Sequence, residues 1–495
     1  MPAVIPASGF DRHLRTAHRR LAAALAIVLA ASSGAAFPAP GDLDLTFAGD
    51  GVLFVDATGR HDRVNALVAL PDGSLLAAGS FDHGLPTHSD MTLLKLTPGG
   101  GPDTSFGVAA DGLAEVALGG DQDVANALLV QPDGRIVVAG ALEPGANTDF
   151  GVARFDADGV LDTSFGDVDP NGGRLGYVRV NVGTSSGAND YATVIARQRV
   201  GGNAGKLVVA GSGLSNDGAN CCYRRFGLVR LTADGSVDTS FGPQEAPTGI
   251  VVAPPSALGA AEYPTGIATR ADGSMPGDTI TVVGYVFPDV RALIRRYTAN
   301  GLPDTSFDGD GLLVIEDTLQ NSQATGMGRI DAAVYQPDGK LLVVGRARDR
   351  GFTFMRFHAN GARDTSFGVN GRVSIKYSET SYYDTPSALV LQSDGKIIAA
   401  GQFSAIYDGE RSNDFAVVRL LTDGTPDPAF GDGGWSTYPL VLDADIAHAV
   451  AIGPKGEITA AGYAQRTGAS TLQDDMAFLR LEGDTGIFAD GFDGD

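Results

Sequence analysis

Two histidines, His83 and His88, lie five apart and are flanked by Asp82 and Asp90, a spacing that could hold Zn²⁺. A solvated loop accounts for them equally well. Gly183-Thr-Ser-Ser-Gly187 satisfies Gly-x-Ser-x-Gly, but no strand-to-helix elbow surrounds it to activate the serine. Asp167, Asp169 and Asn171 resemble the first half of a Ca²⁺ loop; the twelfth position is Val178 where a bidentate Glu belongs, so a turn is the better reading. Cys221 and Cys222 are adjacent, either a vicinal disulfide or a reduced pair, with no His nearby to make a catalytic thiol. Asp56, Asp190, Asp408 and Glu410 fall in or beside connecting segments and could supply an acid/base pair. None of these sets is complete. No catalytic, cofactor-binding or metal residue is assigned, and no cofactor is implied.

The strongest polar signal is a basic residue eight before an aspartate, as in Arg154 and Asp162, Arg230 and Asp238, and Arg356 and Asp364. It belongs to a repeat. Asp-Thr-Ser-Phe-Gly or a variant places Phe at 47, 106, 165, 241, 307, 367 and 430. A turn and an apolar run close on Gly79, Gly140, Gly211, Gly284, Gly345, Gly401 and Gly462. A third segment carries Lys95, Arg154, Arg230, Arg296, Arg356, Arg419 and Arg480. Seven copies recur with a period of 59 to 76 residues. Recurrence in every copy favours a structural role for the pair; the alternative is seven cations ringing a channel to bind an anion. The Phe reads as an anchor between units and the Asp as a turn-former.

Each unit reads as four strands: a (51–55 in the first copy), b (64–70), c (74–78) and d (91–96). Pro-Asp-Gly between b and c fits a type I turn followed by Gly at positive φ. The c runs, such as Ile136-Val-Val138, are continuously apolar and predict burial on both faces. One such sheet cannot bury both faces alone, whereas seven packed around an axis can. The fold class is therefore all-β, a seven-bladed β-propeller of four-stranded antiparallel blades. The motifs Leu161-Asp-Thr-Ser-Phe-Gly166 and Pro-Asp-Gly-Lys-Leu-Leu-Val-Val-Gly (337–345) resemble the delta-60 repeat family of bacterial proteins over about 43–486. The resemblance implies an exported repeat protein and no particular activity. No recurring Trp-Asp dipeptide supports WD40, and one Trp, Trp435, fits quinone-cofactor propellers badly.

Spacing also separates two faces. The strand-d basic residue lies 11 before the next Phe in all six measurable cases, and turn Gly to closing Gly is 6 in six of seven. Phe to closing Gly ranges from 32 to 46, and closing Gly to basic residue from 11 to 19. The b–c and d–a connections are thus uniform and the a–b and c–d loops diversified, at opposite ends of each blade. Function is expected on the diversified face. Asp44 has no preceding basic residue and Arg480 no following Asp, which predicts that ring closure pairs them.

Composition agrees: 68 Gly and 25 Pro in 495 residues suit many short strands and turns. Arg12, Arg15, Arg19 and Arg20, then the apolar run Leu21–Ala31 and small residues, read as a secretory signal peptide over 1–36. The run is too short for a spanning helix. The expected organisation is 1–36 signal peptide, 40–486 propeller and 487–495 acidic tail. The last segment is either a terminal motif or a decayed eighth signature, Phe492 lying 12 after Arg480. Net charge is −23, and −26 without the signal, which disfavours nucleic acid and anionic membrane. The sequence points to a secreted or periplasmic monomer that binds an unknown protein or glycan. The alternative is a secreted hydrolase or lyase with an acidic site at the channel mouth.

Overall fold

The structure, a computed structural model, describes residues 3–6 and 38–484, less 83–88, 117–122, 144–146, 185–188, 216–222, 244–247, 257–260, 272–277, 289–290, 318, 321–322, 350, 378–383, 408–409, 442–443 and 468–471. Seven four-stranded antiparallel sheets form the blades of a propeller. In blade 1 the order is Asp62–Ala69, Leu75–Asp82, Ser89–Leu96 and Leu113–Val116. These are strands b, c and d of one repeat and strand a of the next, so repeat and blade are offset by one strand. The offset closes the ring. Val52–Asp56 pairs with Leu472–Leu481 and completes blade 7, whose other strands are Asp445–Ile452 and Ile458–Thr467. A short strand, Ala3–Pro6, lies on the outside of this blade.

The apolar c runs are buried as their sequence requires; Ile136–Leu142 is buried at every position. Seven apolar clusters each join two neighbouring blades, for instance Leu93 and Phe106 with Val138 and Phe155 between blades 1 and 2. The Pro-Asp-Gly turns form as expected: Gly73 has φ +86° and its amide donates to the Leu70 carbonyl at 2.9 Å.

One expectation needs correction. The closing glycines do not end strand c, which runs on to Asp82 in blade 1. Each instead faces a β-bulge in strand b, where one extra residue is accommodated. The bulge drives a carbonyl toward the glycine. A Cβ on Gly79 would sit 1.8 Å from the Arg63 carbonyl oxygen, and on Gly462 1.9 Å from that of Ile446. Glycine recurs there because the bulge leaves no room for a side chain.

Candidate functional site

The recurring arginines build a latch between blades. Arg230, on strand Tyr223–Leu231, donates from Nε to Asp238 at 2.8 Å and from Nη2 to Ser240 at 2.9 Å. Its Nη1 reaches the Ala299 carbonyl of the next blade at 2.8 Å, and its guanidinium lies 4.8 Å from the centre of the Phe241 ring. That ring in turn packs beneath Gly301 of the next blade. Arg154, Arg296, Arg356 and Arg480 repeat the pattern, and Lys95 pairs with Asp103 at 3.0 Å. These cations therefore do not ring the channel. They sit on third strands, bound to their own signature. Burial opposes the charge of Asp162 and Asp304, and the signature serine together with the arginine outweighs it, holding both below the usual carboxylate range.

Blade 6 departs from the pattern, because Ala429 stands where serine is usual. Fully buried Arg419 reaches Asp427 through Nη2 at 2.8 Å and Asp484 at 3.1 Å. Its Nε and Nη1 have no hydrogen-bond partner among the described residues.

A second recurring carboxylate lies outside the three repeat motifs. Asp190, one of the candidate acids, is buried and accepts from the amides of Val182 and Gly183 in the a–b loop and Leu214 in strand c. Asp62, Asp384 and Asp445 likewise accept from their a–b loops, at Ala57, Tyr377 and Leu440. Four such residues (Asp62, Asp123, Asp384, Asp445) stand 17 before their closing glycine, a signal legible in the sequence. In blade 5 that position is Gly328, and Asp317 from the preceding loop takes over, accepting from Arg348 N at 2.7 Å. Burial pushes Asp62 and Asp317 above the usual carboxylate range. These are clamps holding the diversified loops to the blade.

Around the axis the bulge residues form a polar belt. Asn65 donates to the Ala125 carbonyl of the next blade at 2.9 Å, Asn126 to Ala192 at 2.9 Å and Thr265 to Ile330 at 2.6 Å. His448 Nδ1 lies 3.2 Å from the Val64 carbonyl across the seam. Thr193, Asp331 and Ser387 occupy the same position in the remaining blades. Five of the seven lie 14 before the closing glycine, so this signal too was available.

Past the belt, toward the b–c hairpins, the channel widens into a cavity of about 800 Å³. Two tiers of wall residues, one from each blade per tier, are all Leu, Ile, Val or Ala. Beyond them the ionisable groups that carry charge are Arg197, Arg199 and Arg270, with no carboxylate among the described residues of the lining. The cavity thus lies on the uniform face, opposite the one singled out from loop variation.

Of the other candidates, Asp167 accepts from Arg179 N at 3.0 Å, while the Asp169 carboxylate takes Asn171 N and its backbone closes a turn with Gly173. Asp56 accepts from Gly59 N at 2.6 Å. Among the described residues no group of three or more His, Cys, Asp or Glu is placed to hold a metal ion. His83, His88, Ser185, Cys221, Cys222, Asp408 and the segment 486–495 lie outside the described residues.

Residues 70–106, 131–165, 205–241, 336–367 and 392–430 match the profile of a family described as "Domain of unknown function (DUF5122) beta-propeller". Each matched stretch runs from about the b–c turn to a signature Phe, and so takes in strands c and d and the latch. No curated protein matches the chain. Among solved structures, Sqt1 from Chaetomium thermophilum bound to the N-terminus of ribosomal protein L10 is 12% identical, with 87% of this chain and 98% of that one covered, at a TM-score of 0.38. A gluconolactonase from Xanthomonas campestris, XC5397, is 14% identical over 74% of this chain and 95% of that one, at 0.33.

Proposed function

We propose that the chain is an exported propeller of the delta-60 type that acts as a binding scaffold through its a–b and c–d loops, with a protein or glycan as ligand. One observation carries this reading. The recurring polar groups of the repeat serve the ring itself, as latch, clamp or hairpin, and the two loop classes are what differs between copies. Sequence variation on a rigid frame is where recognition is usually placed. Export rests on the order of basic, apolar and small residues in 1–36. Among the described residues no helix is long and apolar enough to cross a membrane.

The alternative, a hydrolase or lyase with an acidic site at the channel mouth, finds less support, since the described residues of the cavity lining include no carboxylate. The test is a screen of glycans, peptides and metal ions against residues 37–495, repeated with the c–d loops of two blades exchanged. Binding that follows the exchanged loops supports the scaffold. Turnover in a hydrolase panel with no binding overturns it.

A further inference from the structure

We infer that the axial cavity on the uniform face is a binding site for a long-chain carboxylate. The wall is built for an apolar body. Leu67, Leu128, Ile195, Ile267, Leu389 and Val450 stand at one level, two residues past the bulge in their blades, and the next level is equally apolar. Covering apolar surface of this kind is favourable in water, and the volume lies in the range of small-molecule pockets, about 300–1,000 Å³. The polar belt lies at the far end, with Asn65, Asn126 and Thr265 already bonded to neighbouring carbonyls.

The mouth is built for an anion. In a chain with 59 acidic and 36 basic side chains, the described residues lining the cavity include three arginines and no acid. All three come from blades 3 and 4, so the charge gathers on one side. Arg270 is fixed, its Nη1 on the Gly339 carbonyl at 3.0 Å and its guanidinium beside the Tyr335 ring. Arg197, half-buried at the end of strand Tyr191–Arg197, has no partner among the described residues. A half-buried guanidinium beside an apolar wall gains most from an anion whose tail fills that wall. An inorganic anion would leave the wall wet, and a neutral lipid would leave Arg197 unpaired.

This site is separate from the loop face, so its failure leaves the scaffold reading standing. The test titrates the full chain with anilinonaphthalene sulfonate and then displaces the dye with hexadecanoate, hexadecanol or methyl hexadecanoate. Hexadecanoate should displace it saturably at one molecule per chain, at least about tenfold better than the alcohol or ester, a difference matched to one charge-assisted contact. Arg197→Gln should lower hexadecanoate affinity about tenfold and leave the melting temperature unchanged. Equal displacement by acid, alcohol and ester, absence of saturable binding, or an unaltered affinity in Arg197→Gln would each overturn the proposal.

Discussion

Arg480 Nε donates to Asp44 Oδ2 at 2.7 Å, joining residues 436 apart in sequence by the bond that Arg154 and Asp162 make eight apart. The seam thus carries the same latch as the interior of the ring, including the bond from Arg480 Nη1 to the Pro98 carbonyl of blade 1. Burial opposes the Asp44 charge; Thr46 and Arg480 outweigh it and hold the carboxyl below its usual range. Removing one partner of a buried pair leaves the other uncompensated, at a cost of about 3–5 kcal/mol. Asp44→Ala is expected to lose stability of that order in urea unfolding. The double variant Asp44→Ala, Arg480→Leu should recover part of it.

Blade 6 offers a change in the opposite direction. Ala429→Ser restores the hydroxyl that the other arginine latches use, beside an Arg419 whose Nε and Nη1 are unbonded among the described residues. A gain of about 0.5–1.5 kcal/mol is expected, the usual net worth of one hydrogen bond. Differential scanning calorimetry showing no gain would remove the serine from the latch.

Gly301 and Gly172 separate backbone strain from packing. Both have positive φ, +81° and +91°. A Cβ at 301 would lie 2.7 Å from the Phe241 ring, whereas at 172 it meets nothing within 4 Å. Gly172→Ala should cost about 1–2 kcal/mol for the left-handed conformation alone. Gly301→Ala should cost clearly more, and equal losses would refute the role of the ring as a packed anchor.

His448 makes the belt acid-sensitive. Burial and the nearby Arg63 charge lower its pKa from 6.5 to about 4. The native state therefore resists a proton that the unfolded chain accepts. Its contribution is present above about pH 6.5 and is lost as pH falls toward 4, by roughly 3 kcal/mol in all. Asn already performs the same bridging at positions 65 and 126. His448→Asn should match the parent at pH 7.5 and exceed it at pH 4.5 in denaturant titrations.

Much of the ring was legible because its determinants are local and repeated. A signature at fixed spacing from a basic residue gives the d–a connection, and Pro-Asp-Gly gives the b–c hairpin. The pairing of Asp44 with Arg480 follows from counting what each lacks. The bulge is not legible, since one extra residue in strand b leaves the apolar pattern of c unchanged; the glycine opposite it then looks like a strand end. In the sequence Asp190 reads as a free acid, because only the fold brings Val182 N and Leu214 N to it. The cavity is hidden in the sequence for a related reason: only when seven strands stand around one axis do Leu67 and Ile195 become a wall. The substitution of Asp317 for the residue absent at Gly328 is invisible to spacing, since the carboxylate arrives from the other end of the same a–b connection.

The one-strand offset between repeat and blade has a consequence in time. Val52–Asp56 is among the first propeller segments to leave the ribosome, and its partner Leu472–Leu481 is among the last. Through nearly the whole of synthesis the growing arc therefore carries an open β edge at each end. Such edges invite pairing with other chains. The final repeat removes both at once, so the ring gains its protection against mispairing in a single late event.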